Sequence, residues 1–304
     1  MSTLAAPSPP QAAPGRPIEI EEWSNRVLVH PLSRAVATAL VPTPVTPNMV
    51  SVAAAAMAAC GAGAFVASPH LPWPVGAVVG FAFLFAWHVL DGADGQLARA
   101  TGRASTNGEL VDGICDHAGQ LAVYLALGWL LSAQIGGWAW LMAAAAGLSR
   151  AVQASAYEGA RRNYRRWIYG ARWIRQTLDL AAVGGGAAGR IKVALGRAYV
   201  AISAAVSAED AEVERAMLAA SQRGGAAGQR AQALYRARFL PVVKGASVLS
   251  ANYRSLAAFL SVLAGAPLYF LVYEAVVLNL VLVQLVRRQA GANRALATEL
   301  EGLS

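Results

Sequence analysis

The sequence predicts an all-α, polytopic membrane protein with six transmembrane helices and an N-terminal amphipathic interfacial helix. Three observations carry this expectation. Of 304 residues, 56% are hydrophobic and only 14% are charged, with a mean hydropathy of +0.43, whereas a soluble domain carries about 25% charged residues. Apolar runs recur at close to the ~20 residues an α-helix needs to cross the hydrocarbon. The basic residues, which leave a net charge of +8, gather at alternate ends of those runs, as they do in short cytoplasmic loops.

Residues 1–20 hold Pro7, Pro9, Pro10, Pro14 and Pro17 and read as a disordered lead. They lack the basic start and apolar centre of a cleavable signal peptide. Residues 21–48 read as a juxtamembrane unit. In it Trp23 to Leu40 forms an amphipathic helix suited to an interface, and the stiff segment Pro42-Thr-Pro-Val-Thr-Pro47-Asn48 leads into the first span.

The spans fall at 49–68, 72–90, 117–135, 138–157, 247–265 and 267–286. Uncharged turns join them pairwise: His70-Leu-Pro-Trp-Pro74, Gln134 to Gly137, and Gly265-Ala-Pro267. Proline breaks a helix by removing an amide donor. Arg26, Arg34, Arg99, Arg103, Arg161, Arg162, Arg165, Arg166, Arg287 and Arg288 mark the other ends. Both termini are therefore expected on the cytoplasmic side of the inner membrane. Residues 49–290 form the membrane domain, with a cytoplasmic helical insertion at about 158–246 and a tail at 291–304.

That insertion opens with Tyr164, Trp167, Ile168, Tyr169 and Trp173 among arginines, as in a helix leaving the bilayer along its surface. Residues Gly184 to Gly189 form a flexible break and not a phosphate loop, because no Gly-Lys-Ser/Thr follows. The helical pattern returns near 201–222, where Glu209, Asp210, Glu212 and Glu214 make a solvated face. Cys60 and Cys115 supply neither a disulfide framework nor a thiolate metal knot. The placement of the basic residues suits anionic headgroups and not nucleic acid.

The chemistry concentrates where the second span ends. Asp91 and Asp94 are three residues apart, and Asp112 and Asp116 are four apart, so on helices each pair shares one face. Four carboxylates facing one another across a helix pair repel unless a cation compensates them. Oxygen-only ligation points to a hard ion, Mg²⁺ or Mn²⁺, with room for two. Gly92, Gly95, Ala98, Gly108 and Gly113 leave bare helix surface beside the acids, which permits close helix packing or the approach of a ring or diphosphate.

The pattern Asp91-x-x-Asp94-Gly95-x-x-Ala98-Arg99, then Gly108-x-x-x-Asp112-x-x-x-Asp116, resembles the signature of the CDP-alcohol phosphotransferases at all eight fixed positions. The likeness covers roughly 25–160, including the Pro47-Asn48 lead into the first span. It implies cleavage of the diphosphate of a CDP-alcohol, transfer of the phosphoryl-alcohol unit to an acceptor hydroxyl, and release of CMP. By that resemblance Asp91, Asp94 and Asp112 ligate two metal ions, with Asp112 shared. Asp116 is the general base with a secondary metal contact. Gly95 and Ala98 flank the cytidine, Arg99 approaches its phosphates, and Asn48 and Gly108 lie near the nucleotide.

Two arginines within spans, Arg150 and Arg254, need partners or a wet cavity. They are expected either to lock onto acids such as Glu158 and Glu274 or to anchor a phosphate of the acceptor. A basic pocket of this kind favours an acceptor carrying phosphate, such as inositol phosphate or glycerol phosphate, with a neutral polyol or an amino alcohol as the alternatives. The leading donor is CDP-diacylglycerol; the alternative reaction moves a small headgroup from a CDP-alcohol to a lipid hydroxyl. A divalent-cation transporter is the competing class, but the acids sit at one end of the spans and no second acidic cluster marks an exit. Expected partners are the CDP-alcohol, the hydroxyl acceptor and membrane lipids, with a homodimer admitted and no nucleic acid.

Overall fold

A computed structural model describes residues 18–170 and 210–301 of the chain. The expectations for residues 1–17, for Trp173, for Gly184 to Gly189, for 201–209 with Glu209 and for 302–304 lie outside the described residues. Within them all regular structure is helical: α1 (His30–Leu40), α2 (Pro47–Ala67), α3 (Val75–Ala100), α4 (Thr106–Ile135), α5 (Trp138–Tyr169), α6 (Ala211–Arg223), α7 (Gly225–Gly245), α8 (Ala251–Leu263), α9 (Pro267–Val272) and α10 (Leu278–Glu301). A π-helical turn, Asn25–Val29, precedes α1, and another, Tyr273–Val277, joins α9 to α10.

Local chemistry sets the boundaries that matter for the site. Thr46 caps α2 by accepting the Met49 amide at 3.3 Å, with Pro47 in the first turn where its missing donor costs nothing. Ser105 caps α4 by accepting the Gly108 amide at 3.1 Å. That helix stops at Gly136, whose φ of +65° suits a residue without Cβ. Asp210 caps α6 through the amides of Glu212 and Val213 at 2.9 and 3.2 Å.

Among the described residues four helices, not the expected six, are long and apolar enough to cross a membrane: Pro47–His70, Val75–Ala100, Asn107–Ile135 and Pro267–Glu301. The two failures have different causes. The run at 247–265 breaks into a short turn at Ser247–Leu249, extended Ser250 and the 13-residue α8. At 1.5 Å per residue α8 is about 20 Å long, short of the ~30 Å hydrocarbon. The run at 138–157 is the first part of the 32-residue α5, long enough but alanine-rich and carrying Ser149, Arg150, Gln153 and Ser155 before the charged second half.

The helices build two cores. In one, Ala58, Phe65, Leu84, Trp87, Leu127 and Leu131 from α2, α3 and α4 meet Ala143, Ala146, Ala258 and Leu271. The α2–α3 contact is close enough that a Cβ on Gly80 would fall 2.3 Å from the Phe65 ring. In the other, the second half of α5 packs with α6, α7 and the end of α10 through Tyr164, Met217, Tyr235, Phe239, Leu285 and Leu296. Glu19 ties the start of the described chain to this core: its Oε1 accepts from the hydroxyls of Tyr164 and Tyr169, both at 2.7 Å, and its Oε2 accepts from Arg236 Nε at 3.0 Å.

The uncharged turns gather at one end of the bundle. Trp73 Nε1 donates to Leu263 O at 3.2 Å, and Gln134 Nε2 to Gly265 O at 3.4 Å. The end of α3 and the start of α4, which carry the aspartates, lie at the opposite end. There α1 crosses α3 so tightly that a Cβ on Gly92 would lie 2.5 Å from Ser33 Oγ, which donates to Val89 O at 2.8 Å.

Candidate active site

Asp91 and Asp94 lie on the last turns of α3, and Asp112 and Asp116 on the first turns of α4. Asp94 is buried; the other three are half-buried. Asp94 Oδ2 accepts from Ser51 Oγ of α2 at 2.6 Å, while its Oδ1 accepts from the Gly95 amide. Asp112 stands within electrostatic reach of Asp94, Asp116 and Glu109, so three of the four motif carboxylates share one field. Asp116 Oδ2 accepts from Gln120 Nε2, one turn further along α4, at 2.7 Å.

The other motif positions surround these acids. Asn48 Oδ1 lies 3.5 Å from where a Cβ on Gly108 would stand, which brings the start of α2 against the start of α4. Arg99 folds back so that its Nη1 lies 3.4 Å from the Cβ position of Gly95. Ala98 is half-buried and Arg99 is exposed on the same turns. Among the described residues, no group of three or more His, Cys, Asp and Glu side chains stands ready to hold a metal ion. The donor set is nonetheless all carboxylate, with Asp94 and Asp112 already within hydrogen-bonding reach of each other, and carboxylate oxygens suit a hard cation.

The two membrane arginines occupy different surroundings. Arg254 is 4% exposed and pairs through Nη1 with Glu274, which is fully buried. Its Nη2 donates to Gln153 Oε1 at 2.8 Å and its Nε to Leu249 O at 3.2 Å. Glu158, the other acid expected near an arginine, instead accepts from Arg161 at 2.8 Å. Arg150 makes no hydrogen bond or ion pair among the described residues; it stands in the field of Arg254 first, and of Tyr124, Asp116 and Glu274. It lines a cavity of about 30 Å³, room for a water, with Trp87, Gln120, Tyr124, Arg254 and Ser255. Tyr157 and Tyr164 turn away from this cavity toward Glu22 and Glu19. Burial and the adjacent Glu22 raise the Tyr157 hydroxyl above its ordinary range, so it stays a donor.

Sequence reasoning missed Ser51, Gln120, Gln153 and the buried contact of 2.7 Å between His88 Nε2 and Ser255 Oγ. Helical spacing held a signal for two of them: Ser51 follows Pro47 by one turn, and Gln120 follows Asp116 by one turn. Gln153 and Ser255 meet their partners across long stretches of chain, where spacing says nothing.

With Asp94, Asp112 and Asp116 converging from two helices beside Asn48 and Arg99, the geometry and the sequence agree on a class. The chain belongs to the CDP-alcohol phosphatidyltransferase family, whose sequence pattern matches residues 44–221. That match begins later and runs further than the 25–160 covered by the resemblance. A phosphatidylinositol phosphate synthase of Mycolicibacterium smegmatis is 38% identical over 98 residues, which cover 32% of this chain and 41% of that protein. The alignment thus spans less than half the length of the relative.

Proposed function

We propose that the protein transfers a phosphatidyl group from CDP-diacylglycerol to the hydroxyl of a polyol phosphate, releasing CMP. The observation that carries this reading is the Asp94–Asp112–Asp116 grouping at the end of two apolar helices, in a chain of this family. Asp91, Asp94 and Asp112 would hold two divalent cations, Mg²⁺ or Mn²⁺. When bound, such ions neutralise charge on the diphosphate. Asn48, Gly95, Ala98 and Gly108 would receive the nucleotide, and Arg99 its phosphates. Asp116 would accept the acceptor's hydroxyl proton while the new O–P bond forms and the bond from that phosphorus to the bridging oxygen breaks, leaving CMP with the electron pair.

Arg150 is compatible with a phosphate-bearing acceptor: it makes no hydrogen bond or ion pair among the described residues and lines, with Gln120, a water-sized cavity that must widen to admit a phosphate. The name of the mycobacterial relative, a phosphatidylinositol phosphate synthase, agrees with inositol phosphate as that acceptor. Chelation tests the cation assignment. Turnover should fall to background in excess EDTA and return with Mg²⁺ or Mn²⁺, while Zn²⁺ restores little because the assigned ligands are all carboxylates. Full turnover in chelator removes the cations from the reaction.

We place the aspartates and both termini on the cytoplasmic side. The four candidate spans among the described residues are an even number, and arginines flank the aspartate end. With Cys60 and Cys115 replaced by alanine, cysteines at Gln134 and Ala264 should label from the periplasm with an impermeant reagent and one at Arg103 should not. Labelling of all three from one face overturns this placement.

A further inference from the structure

We infer that Gln120 is a positioning residue, whose side-chain amide sets the orientation of the Asp116 carboxylate for proton abstraction. This rests on the reading of Asp116 as general base. The contact is direct: Gln120 Nε2 donates to Asp116 Oδ2 at 2.7 Å, and it is the one hydrogen bond that this carboxylate receives among the described residues. It occupies one oxygen and leaves Oδ1 open to accept a proton. A carboxylate free to rotate presents either oxygen in many directions, whereas one held at a single oxygen presents the other in few.

The amide is itself held in place. Its neighbour Gly119 lies so close to α2 and α3 that a Cβ there would stand 2.8 Å from the Ala58 Cβ and 3.4 Å from the Trp87 ring. The backbone of α4 therefore has no play at this level. Gln120 also lines the cavity shared with Tyr124, Arg150 and Ser255. Glutamine suits this place for two reasons. Its length spans one helical turn to the residue four before it, and it donates without adding a charge that would neutralise the base. A hydrogen bond to a charged group contributes about 10- to 100-fold.

The test uses the full-length protein in detergent–lipid micelles, with CMP release from CDP-diacylglycerol and inositol phosphate or glycerol phosphate as acceptor. Gln120→Met keeps the volume and loses the donor; Gln120→Asn keeps an amide in the cavity but falls short of Asp116. Both should lower kcat by at least ~10-fold while leaving KM for donor and acceptor within about twofold. In an Asp116→Asn background neither should lower kcat further, because the two residues act as one unit. Native kcat in Gln120→Asn, a rise in KM without loss of kcat, or a loss that adds fully to that of Asp116→Asn overturns the inference. If Asp116→Asn itself turns over normally, the assignment of the base fails and the role of Gln120 fails with it. A protein inactive with both acceptors refutes the proposed reaction as well.

Discussion

Replacing Asp116 by asparagine is expected to cut turnover by at least ~10²-fold while sparing much of the affinity for the CDP-alcohol. Asparagine keeps the size, and its amide oxygen still accepts the hydrogen bond from Gln120 Nε2, but it cannot take a proton. Asp112→Asn should behave differently. Asp112 stands in the field of Asp94, Asp116 and Glu109, the place where a cation would gain most, so its loss should lower metal affinity and turnover together. Nucleotide affinity by calorimetry in saturating Mg²⁺ and turnover by CMP release, measured on the same folded preparations, separate the two effects. Near-native turnover in Asp116→Asn would take it out of the base role, and loss of all CDP-alcohol binding would move it among the primary metal ligands.

The second large effect concerns stability. Arg254→Met is expected to destabilise the protein by about 3–5 kcal/mol, because it strands a fully buried Glu274 without its cation. It also leaves Gln153 Oε1 without the donor that Arg254 Nη2 supplies. Adding Glu274→Met should recover much of the loss, since an apolar pair of similar volume needs no desolvation of charge. Thermal unfolding of the single and double variants in one detergent measures both. If Arg254→Met keeps its unfolding temperature but loses acceptor affinity, Arg254 serves the substrate and does not brace the bundle. Arg150, with no such partner among the described residues, should show the reverse pattern: Arg150→Met keeps stability and raises KM for a polyol phosphate.

The helical class and the register of the aspartates were legible because both depend on local spacing. The three-residue and four-residue intervals put Asp91 with Asp94 and Asp112 with Asp116 whatever the rest of the fold does. The number of spans was not legible in the same way. Hydropathy over 247–265 averages across Ser250, where the backbone turns extended before α8 begins. It also takes no account of how a short helix bearing Arg254 is sheltered by Glu274 and Gln153 from other helices. The 138–157 segment is continuous with the charged half of α5, so its apolar part has no end that a window could find. The second core escaped reading as well. Tyr164, Met217, Phe239 and Leu296 come from four helices far apart in sequence, and no local period reports that they meet. Around the site the limit is similar: Ser51 reaches Asp94 from a different helix, a contact that only the α2–α3 packing creates.

The proposed reaction is tested most directly by incubating the purified protein with CDP-diacylglycerol, Mg²⁺ and each of inositol phosphate, glycerol phosphate, a neutral polyol and an amino alcohol, then quantifying CMP and identifying the lipid product. The expected result is CMP released in step with a phosphatidyl product that retains the acceptor's phosphate, and no CMP without acceptor. Failure to release CMP with any acceptor, or CMP release that forms no new phosphodiester lipid, would contradict it.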